Sequence, residues 1–145
     1  MLKDAVITLK SFHDIDAGSR QSLDFITDGY YSYDDGVGSF TYLESEVTGL
    51  EGTRTSVIVM PDEIVVDRDG TLTSRMVFKE GEKSSFLYSL PFGEATMGIN
   101  TKCVRHSFNE NGGDAEIEYI VDVDHKVFTR NKLLMNVKQE GLSRA

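Results

Sequence analysis

Apolar and polar residues alternate with a period of two along most of this chain. Within residues 5–12, Ile7 and Leu9 fall on one face, while Thr8 and Lys10 fall on the other. A β-strand places successive side chains on opposite faces, whereas an amphipathic helix repeats about every 3.6 residues. No segment shows a convincing helical stripe, and residues 14–20 are the best place for one short helical turn. The pattern therefore predicts an all-β chain.

Turn residues divide this alternating pattern into short segments. Asp69-Gly70 and Asn111-Gly112-Gly113 have the composition of hairpin turns, and Gly98 suggests a bend within a long strand. The predicted strands cover residues 5–12, 22–33, 39–47, 53–60, 63–68, 72–79, 84–90, 94–108, 114–124 and 127–138.

Neighbouring strands joined by short turns predict an antiparallel up-and-down meander. A sheet of this many strands tends to curl, and closing it removes the exposed edges. The chain has 145 residues, the size of one domain, and no linker or repeat interrupts it. We therefore predict a single domain over residues 1–145, folded as a closed antiparallel β-barrel of about ten strands.

The charge of the chain narrows the choice of partners. The formal net charge is −9, and 39% hydrophobic with 27% charged residues is typical of globular domains. A field of that sign repels nucleic-acid phosphates and anionic membrane surfaces. Lysines and arginines are spread along the predicted strands, and no run of about 18 apolar residues occurs. The sequence predicts neither a nucleic-acid partner nor a membrane partner.

The start of the chain and its cysteine content bear on location. Asp4 interrupts the short apolar start, so residues 1–7 do not resemble a signal peptide. Cys103 is the single cysteine and has no partner for an internal disulfide. Both features predict a cytoplasmic protein, while the sequence leaves the oligomeric state open.

Residues 42–55, which read YLESEVTGLEGTRT, resemble the signature of a bacterial family, the YwiB-like calycin barrels. The string from Glu44 to Gly52 carries most of the specificity. The resemblance extends over nearly the whole chain, through residues 7–9, 27–29, 68–70, 91–93 and 111–113, and Asn131 with Leu133.

This resemblance implies a closed, lipocalin-like barrel of the calycin type. Many calycins bind small apolar or amphipathic molecules in the lumen, and the likeness of fold suggests the same kind of ligand here. The family is uncharacterised, so the resemblance implies no particular activity.

Polar residues on otherwise apolar faces are the candidates for ligand binding. Asn131 shares a strand face with Leu133, and Tyr119 shares one with Ile117. A buried asparagine must satisfy both its carbonyl and its amide. A ligand could do so, and so could an internal hydrogen-bond network that fixes strand register. The predicted lumen site comprises Tyr42, Glu44, Arg75, Asn100, Tyr119 and Asn131.

Glu44 and Glu46 lie two residues apart, so both are expected on one strand face with Tyr42. Paired carboxylates could support acid–base chemistry or bind a cation. The alternative is a solvated face or a structural ion pair. If the carboxylates are buried, they need a cationic partner. The candidates for this partner are Arg54, Arg68 and Arg75.

The remaining features predict no cofactor and no metal. The glycines of residues 48–53 predict a turn rather than a phosphate loop, since no lysine follows them. Phe92 could cap a ligand entrance or plug the barrel end. The three histidines, His13, His106 and His125, lack metal-ligand spacing.

Three hypotheses of function follow. The leading one is a barrel that binds a small molecule in its lumen, and a fully filled lumen would contradict it. The second is a protein-interaction or structural module with a filled core and an acidic surface, for which Tyr30, Tyr31 and Tyr33 would form an exposed patch. The third is an enzyme that uses Glu44 as an acid or base beside a cavity. The sequence favours a binding protein over an enzyme.

Overall fold

Ten antiparallel strands make up the structure, a computed structural model that describes residues 2–16, 19–123 and 126–140. The strands are β1 (Lys3–Asp16), β2 (Ser19–Asp34), β3 (Val37–Leu43), β4 (Arg54–Val59), β5 (Ile64–Asp69), β6 (Ser74–Phe78), β7 (Lys83–Leu90), β8 (Gly93–Asn109), β9 (Gly112–Val123) and β10 (Lys126–Gln139). None of the described residues forms a helix long and apolar enough to span a membrane.

All ten strands belong to one sheet, in the order β6-β5-β4-β3-β2-β1-β10-β9-β8-β7. Strands that follow one another along the chain pair with each other, except β6 and β7, and β1 pairs with β10 as well as with β2. This pairing of the first and last strands leaves β6 and β7 as the two edges. The predicted all-β meander is therefore confirmed.

The two edge strands meet at their ends, so the barrel is nearly closed. Thr73 and Ser89 form an isolated bridge with backbone hydrogen bonds of 2.9 and 3.0 Å. Near the turn that joins β6 to β7, the Ser84 hydroxyl donates to the carbonyl of Val77 at 3.3 Å. These contacts take the place of a continuous ladder between β6 and β7.

The turns alternate between two ends of the barrel. We call the end formed by residues 35–36, 60–63, 79–82 and 110–111 the closed end. The opposite end, formed by residues 44–53, 70–73 and 91–92, is called the open end. Gly49 and Gly52 in the longest of these loops have φ angles of 77° and 90°, the left-handed region that favours glycine.

Aromatic side chains fill the closed end. Tyr31, Phe40 and Phe78 are almost completely buried there. The Tyr31 hydroxyl donates to the carbonyl of Asn109 at 2.6 Å, which satisfies its polar end. The ring of Phe108 lies over Gly113, where a Cβ atom would come within 2.7 Å of Cγ of the ring. The absence of a side chain at Gly113 therefore lets an aromatic ring pack directly on the sheet.

One local prediction is wrong. Residues 14–16 and 19–20 belong to strands rather than to a helical turn, because Asp14 pairs with Arg20 in the β1–β2 ladder. In β8 the pairing register with β9 shifts between Thr101 and Cys103, three residues beyond Gly98.

Candidate ligand cavity

A cavity of about 500 Å³ occupies the open half of the barrel. Inward-facing side chains of all ten strands line it, together with Glu44, Thr48 and Leu50 of the loop 44–53. Most of the wall is apolar, as shown by Leu9, Phe25, Val57, Val66, Met76 and Phe86.

Glu44 reaches the cavity because the alternation of β3 continues for one residue past the strand. Phe40 and Tyr42 point inward, and the amide of Glu44 donates to the carbonyl of Thr53 at 2.8 Å, as in one more rung of the ladder. Only 3% of the Glu44 side chain is exposed. The Thr55 hydroxyl donates to its Oε2 at 2.5 Å. A carboxylate is thus held at the wall of the cavity.

Arg68 lies opposite Glu44 and is the positive member of the pair. Its Nε lies 3.8 Å from Glu44 Oε2, which is an ion pair but exceeds hydrogen-bond distance. Its Nη1 donates to the sulfur of Met76 at 3.6 Å. Nε is buried and has no hydrogen-bond partner among the described residues. The guanidinium therefore keeps at least one donor, Nε, that no described residue uses.

Two of the three tyrosines that line the cavity, Tyr42 and Tyr119, lie near this ion pair. Burial, followed by the nearby negative charge of Glu44, raises the pKa of Tyr42 far above its usual value. Burial also raises the pKa of Tyr119, and the charge of Arg68 partly opposes this shift. The ring of Tyr119 packs on Phe78 with 4.7 Å between centroids. Both hydroxyls are therefore neutral at physiological pH.

A second set of polar side chains in the cavity wall links β1 and β10 by hydrogen bonds. His13 and Asn131 face each other across the ladder, and His13 Nδ1 lies 2.5 Å from Asn131 Oδ1. The Asn131 amide donates to the Thr129 hydroxyl at 2.8 Å. With the amide in this orientation, Nδ1 of His13 is the donor and Oδ1 of Asn131 the acceptor of this hydrogen bond. Asn131 thus satisfies both of its polar ends inside the protein.

Four of the six predicted site residues line this cavity: Tyr42, Glu44, Tyr119 and Asn131. The other two, Arg75 and Asn100, lie outside it, so their placement in the lumen is wrong. Arg75 lies between the inward-facing Ser74 and Met76; its side chain is 61% exposed, and Nη1 is 3.6 Å from Asp67 Oδ2.

The prediction that Asn100 faces the lumen is wrong for the same reason as that for Arg75. It lies between Ile99 and Thr101, which are both buried, so strand alternation turns Asn100 outward.

Arg68 and His13 are the site residues that sequence reasoning missed. Arg68 was only one of three possible partners for Glu44, and His13 was considered only as a metal ligand. The signal was available in both cases, because Arg68 continues the inward series of Ile64 and Val66, and His13 continues that of Leu9.

The predicted pair of Glu44 and Glu46 does not form. β3 ends at Leu43, and the chain turns at residues 45–48, where the Thr48 hydroxyl donates to the Ser45 carbonyl at 3.0 Å. Glu46 is exposed in this turn, while Glu44 is buried. The cavity therefore contains one carboxylate beside a cation rather than two carboxylates.

The aromatic residues predicted to lie at the surface or at the barrel end do not form the predicted features. Tyr31 is part of the core and Tyr30 is 50% exposed, so the three tyrosines do not form one surface patch. Phe92 is 88% exposed at the tip of the β7–β8 turn and therefore does not plug the barrel. His125 lies outside the described residues. Across residues 2–16, 19–123 and 126–140, no group of three or more His, Cys, Asp or Glu side chains could hold a metal ion.

Comparison with known proteins identifies the family. The family described as "Domain of unknown function (DUF1934)" matches residues 7–135. The chain belongs to the DUF1934 family. A relative in this fold is the "Uncharacterized beta-barrel protein YwiB" of Bacillus subtilis (strain 168), which is 27% identical over 127 residues, covering 87% of this chain and 86% of the relative.

A solved structure supports the same architecture for this DUF1934 member. The crystal structure of the ywiB protein from Bacillus subtilis superposes with a TM-score of 0.84, covering 95% of this chain and 92% of that one. The two sequences are 22% identical in this alignment, so the likeness establishes the fold. The barrel expected from the alternating pattern is thereby confirmed.

Proposed function

We propose that this barrel binds one small amphipathic molecule in its cavity. The observation that carries the proposal is a space of about 500 Å³ with a mainly apolar wall and a few polar groups, among them Glu44, Arg68 and Tyr119. Ligand sites typically have volumes of roughly 300–1,000 Å³ and this division between apolar walls and a small number of polar groups.

The contrast with the closed end supports this proposal. Protein interiors are normally packed as densely as organic crystals, and the closed end follows that rule with Tyr31, Phe40 and Phe78. The open half departs from it, although the same strands run through both. A space lined by a buried ion pair is too polar to remain empty. Either water or a ligand then occupies it, and the apolar wall favours an amphipathic ligand over water alone.

The calycin type and the cytoplasmic location belong to the same proposal. A closed barrel with a site in its lumen is the arrangement that the resemblance to calycins implies. The single cysteine, Cys103, is compatible with a reducing compartment. The ligand would then be a metabolite or lipid of the cytoplasm.

The test is native mass spectrometry of the untagged protein purified from bacterial cytoplasm. We expect an additional mass that is lost on denaturation. Leu133 lines the cavity and Leu134, its neighbour, faces the outside of β10, so they provide a matched pair of substitutions. Leu133→Trp would fill part of the cavity and remove the additional mass, whereas Leu134→Trp would retain it.

A wild-type protein of bare mass that also binds no amphipathic fluorescent probe would overturn the proposal. Equal retention of the ligand by both tryptophan variants would place the ligand elsewhere and would also contradict it. The other two hypotheses have less support in the structure. The core is not filled throughout, as the interaction module requires, and Glu44 is already engaged by Thr55 and Arg68.

A further inference from the structure

The charged side chains that line the cavity limit which chemical group can form the polar end of a bound ligand. Among the described lining residues, Arg68 is the permanent cation, Glu44 is the carboxylate and His13 is the one histidine. His13 uses Nδ1 to contact Asn131. Glu44 lies close enough to Arg68 to neutralise its charge, so the site as a whole offers no net positive charge to an incoming anion.

The Arg68–Glu44 pair is also incompletely hydrogen-bonded. The 3.8 Å between Nε and Oε2 is too long for a hydrogen bond, and Nε has no other partner among the described residues. A buried ion pair is favourable only when further hydrogen bonds satisfy its donors and acceptors. A group with both a donor and an acceptor could bond to the guanidinium and to the carboxylate at once.

We propose that the polar end of the ligand is an uncharged hydroxyl or amide that accepts a hydrogen bond from Arg68 and donates one to Glu44. This inference rests on the proposed function. A ligand carboxylate would gain from Arg68 but would face the like charge of Glu44 in a poorly solvated site. It also has no proton to donate to Glu44. A hydroxyl or a primary amide meets neither obstacle.

The experiment compares three probes that share one alkyl chain: decanol, decanamide and decanoate. Each probe displaces a neutral environment-sensitive fluorophore from the wild-type protein, at about pH 8, where decanoate is fully ionised. All concentrations stay below the point of aggregation. We expect decanol and decanamide to bind at least about tenfold more tightly than decanoate, the factor that corresponds to a modest like-charge repulsion.

Glu44→Gln tests the cause of this selectivity. The substitution removes the negative charge and leaves Arg68 uncompensated, so the affinity for decanoate should rise at least about tenfold and reverse the ranking. The affinity for decanol should change much less. Glu46→Gln is the matched control, since the same substitution two residues away is exposed and should alter neither affinity.

The wild-type ranking decides the inference even if Glu44→Gln does not fold. Decanoate binding as tightly as decanol would overturn the inference and leave the proposed function intact. Displacement of the fluorophore by none of the three probes would overturn both. Unchanged selectivity in folded Glu44→Gln would show that Glu44 does not exclude anions, which would overturn the inference alone.

Discussion

The closed and open ends of this barrel are built from the same ten strands, yet one is solid and the other contains a cavity. At the closed end the inward positions hold large aromatic rings, with Phe40 and Phe108 stacked at 6.3 Å between centroids. At the open end some inward positions carry small polar side chains, such as Ser11 on β1 and Thr129 on β10, beside aromatic residues such as Phe86. Small side chains at these inward positions leave space in the open half, whereas aromatic rings pack against one another at the closed end.

The longest loop of the open end is held by contacts with the neighbouring connection between β5 and β6. The loop 44–53 covers part of the open end and is attached to the neighbouring connection, because the Leu72 amide donates to the Thr53 hydroxyl at 3.2 Å. Gly70 packs against the backbone there, where a Cβ atom would lie 2.2 Å from the Gly52 carbonyl oxygen. The loop is thus part of the folded structure and helps to define the cavity.

The largest expected effect is a loss of packing at the closed end. Phe40→Ala should lower the free energy of unfolding by about 3–5 kcal/mol, because Phe40 is fully buried among other rings. Phe86→Ala is the matched substitution at the cavity wall, where part of the ring already adjoins empty space. It should cost at least about 1 kcal/mol less, since fewer contacts are lost. Urea unfolding followed by circular dichroism measures both; equal losses would contradict the difference between the ends.

A smaller effect is expected at the ion pair. Arg68→Met removes the cation and leaves Glu44 buried without its partner, which should destabilise the protein by about 2 kcal/mol. The double variant Arg68→Met/Glu44→Gln leaves no uncompensated charge and should recover most of this loss. Thermal and urea unfolding of the four proteins form a double-mutant cycle. Additive losses would show that the two groups do not interact.

The smallest expected effect is that of Gly93→Ala, which serves as the control in a comparison of two glycines. Gly113→Ala would bring a Cβ atom within 2.1 Å of the Ser107 carbonyl oxygen and 2.7 Å of Phe108, so it should cost about 1–3 kcal/mol. Gly93→Ala is the control at the open end, where no atom lies within 4 Å of the new Cβ. Its effect should stay within about 0.5 kcal/mol. If melting temperatures fall equally in both variants, the close packing of Phe108 on Gly113 is not what stabilises this region.

The pattern of residues predicted the strands because one strand face is buried along most of the barrel. In β10, the buried Met135 and Val137 alternate with exposed residues, and the predicted segment 127–138 closely matches the observed strand. The candidate site was predicted in part, for four of six residues. The two errors are Arg75 and Asn100, which were predicted to face the lumen. In both cases the residues on either side are buried, so the polar residue between them points outward.

Alternation of side chains is a local property, so it can be read from the sequence alone. It predicted the all-β class, the antiparallel meander and the inward face of most strands. The cavity is a different kind of property. Arg68 lies on β5 and Glu44 lies just past the end of β3, while His13 and Asn131 lie far apart along the chain, so their contacts depend on register and closure. The empty space between them depends on the summed volume of side chains from many strands. Only the tertiary structure brings those side chains to one place, because volume and distance are set across the barrel and not along the chain.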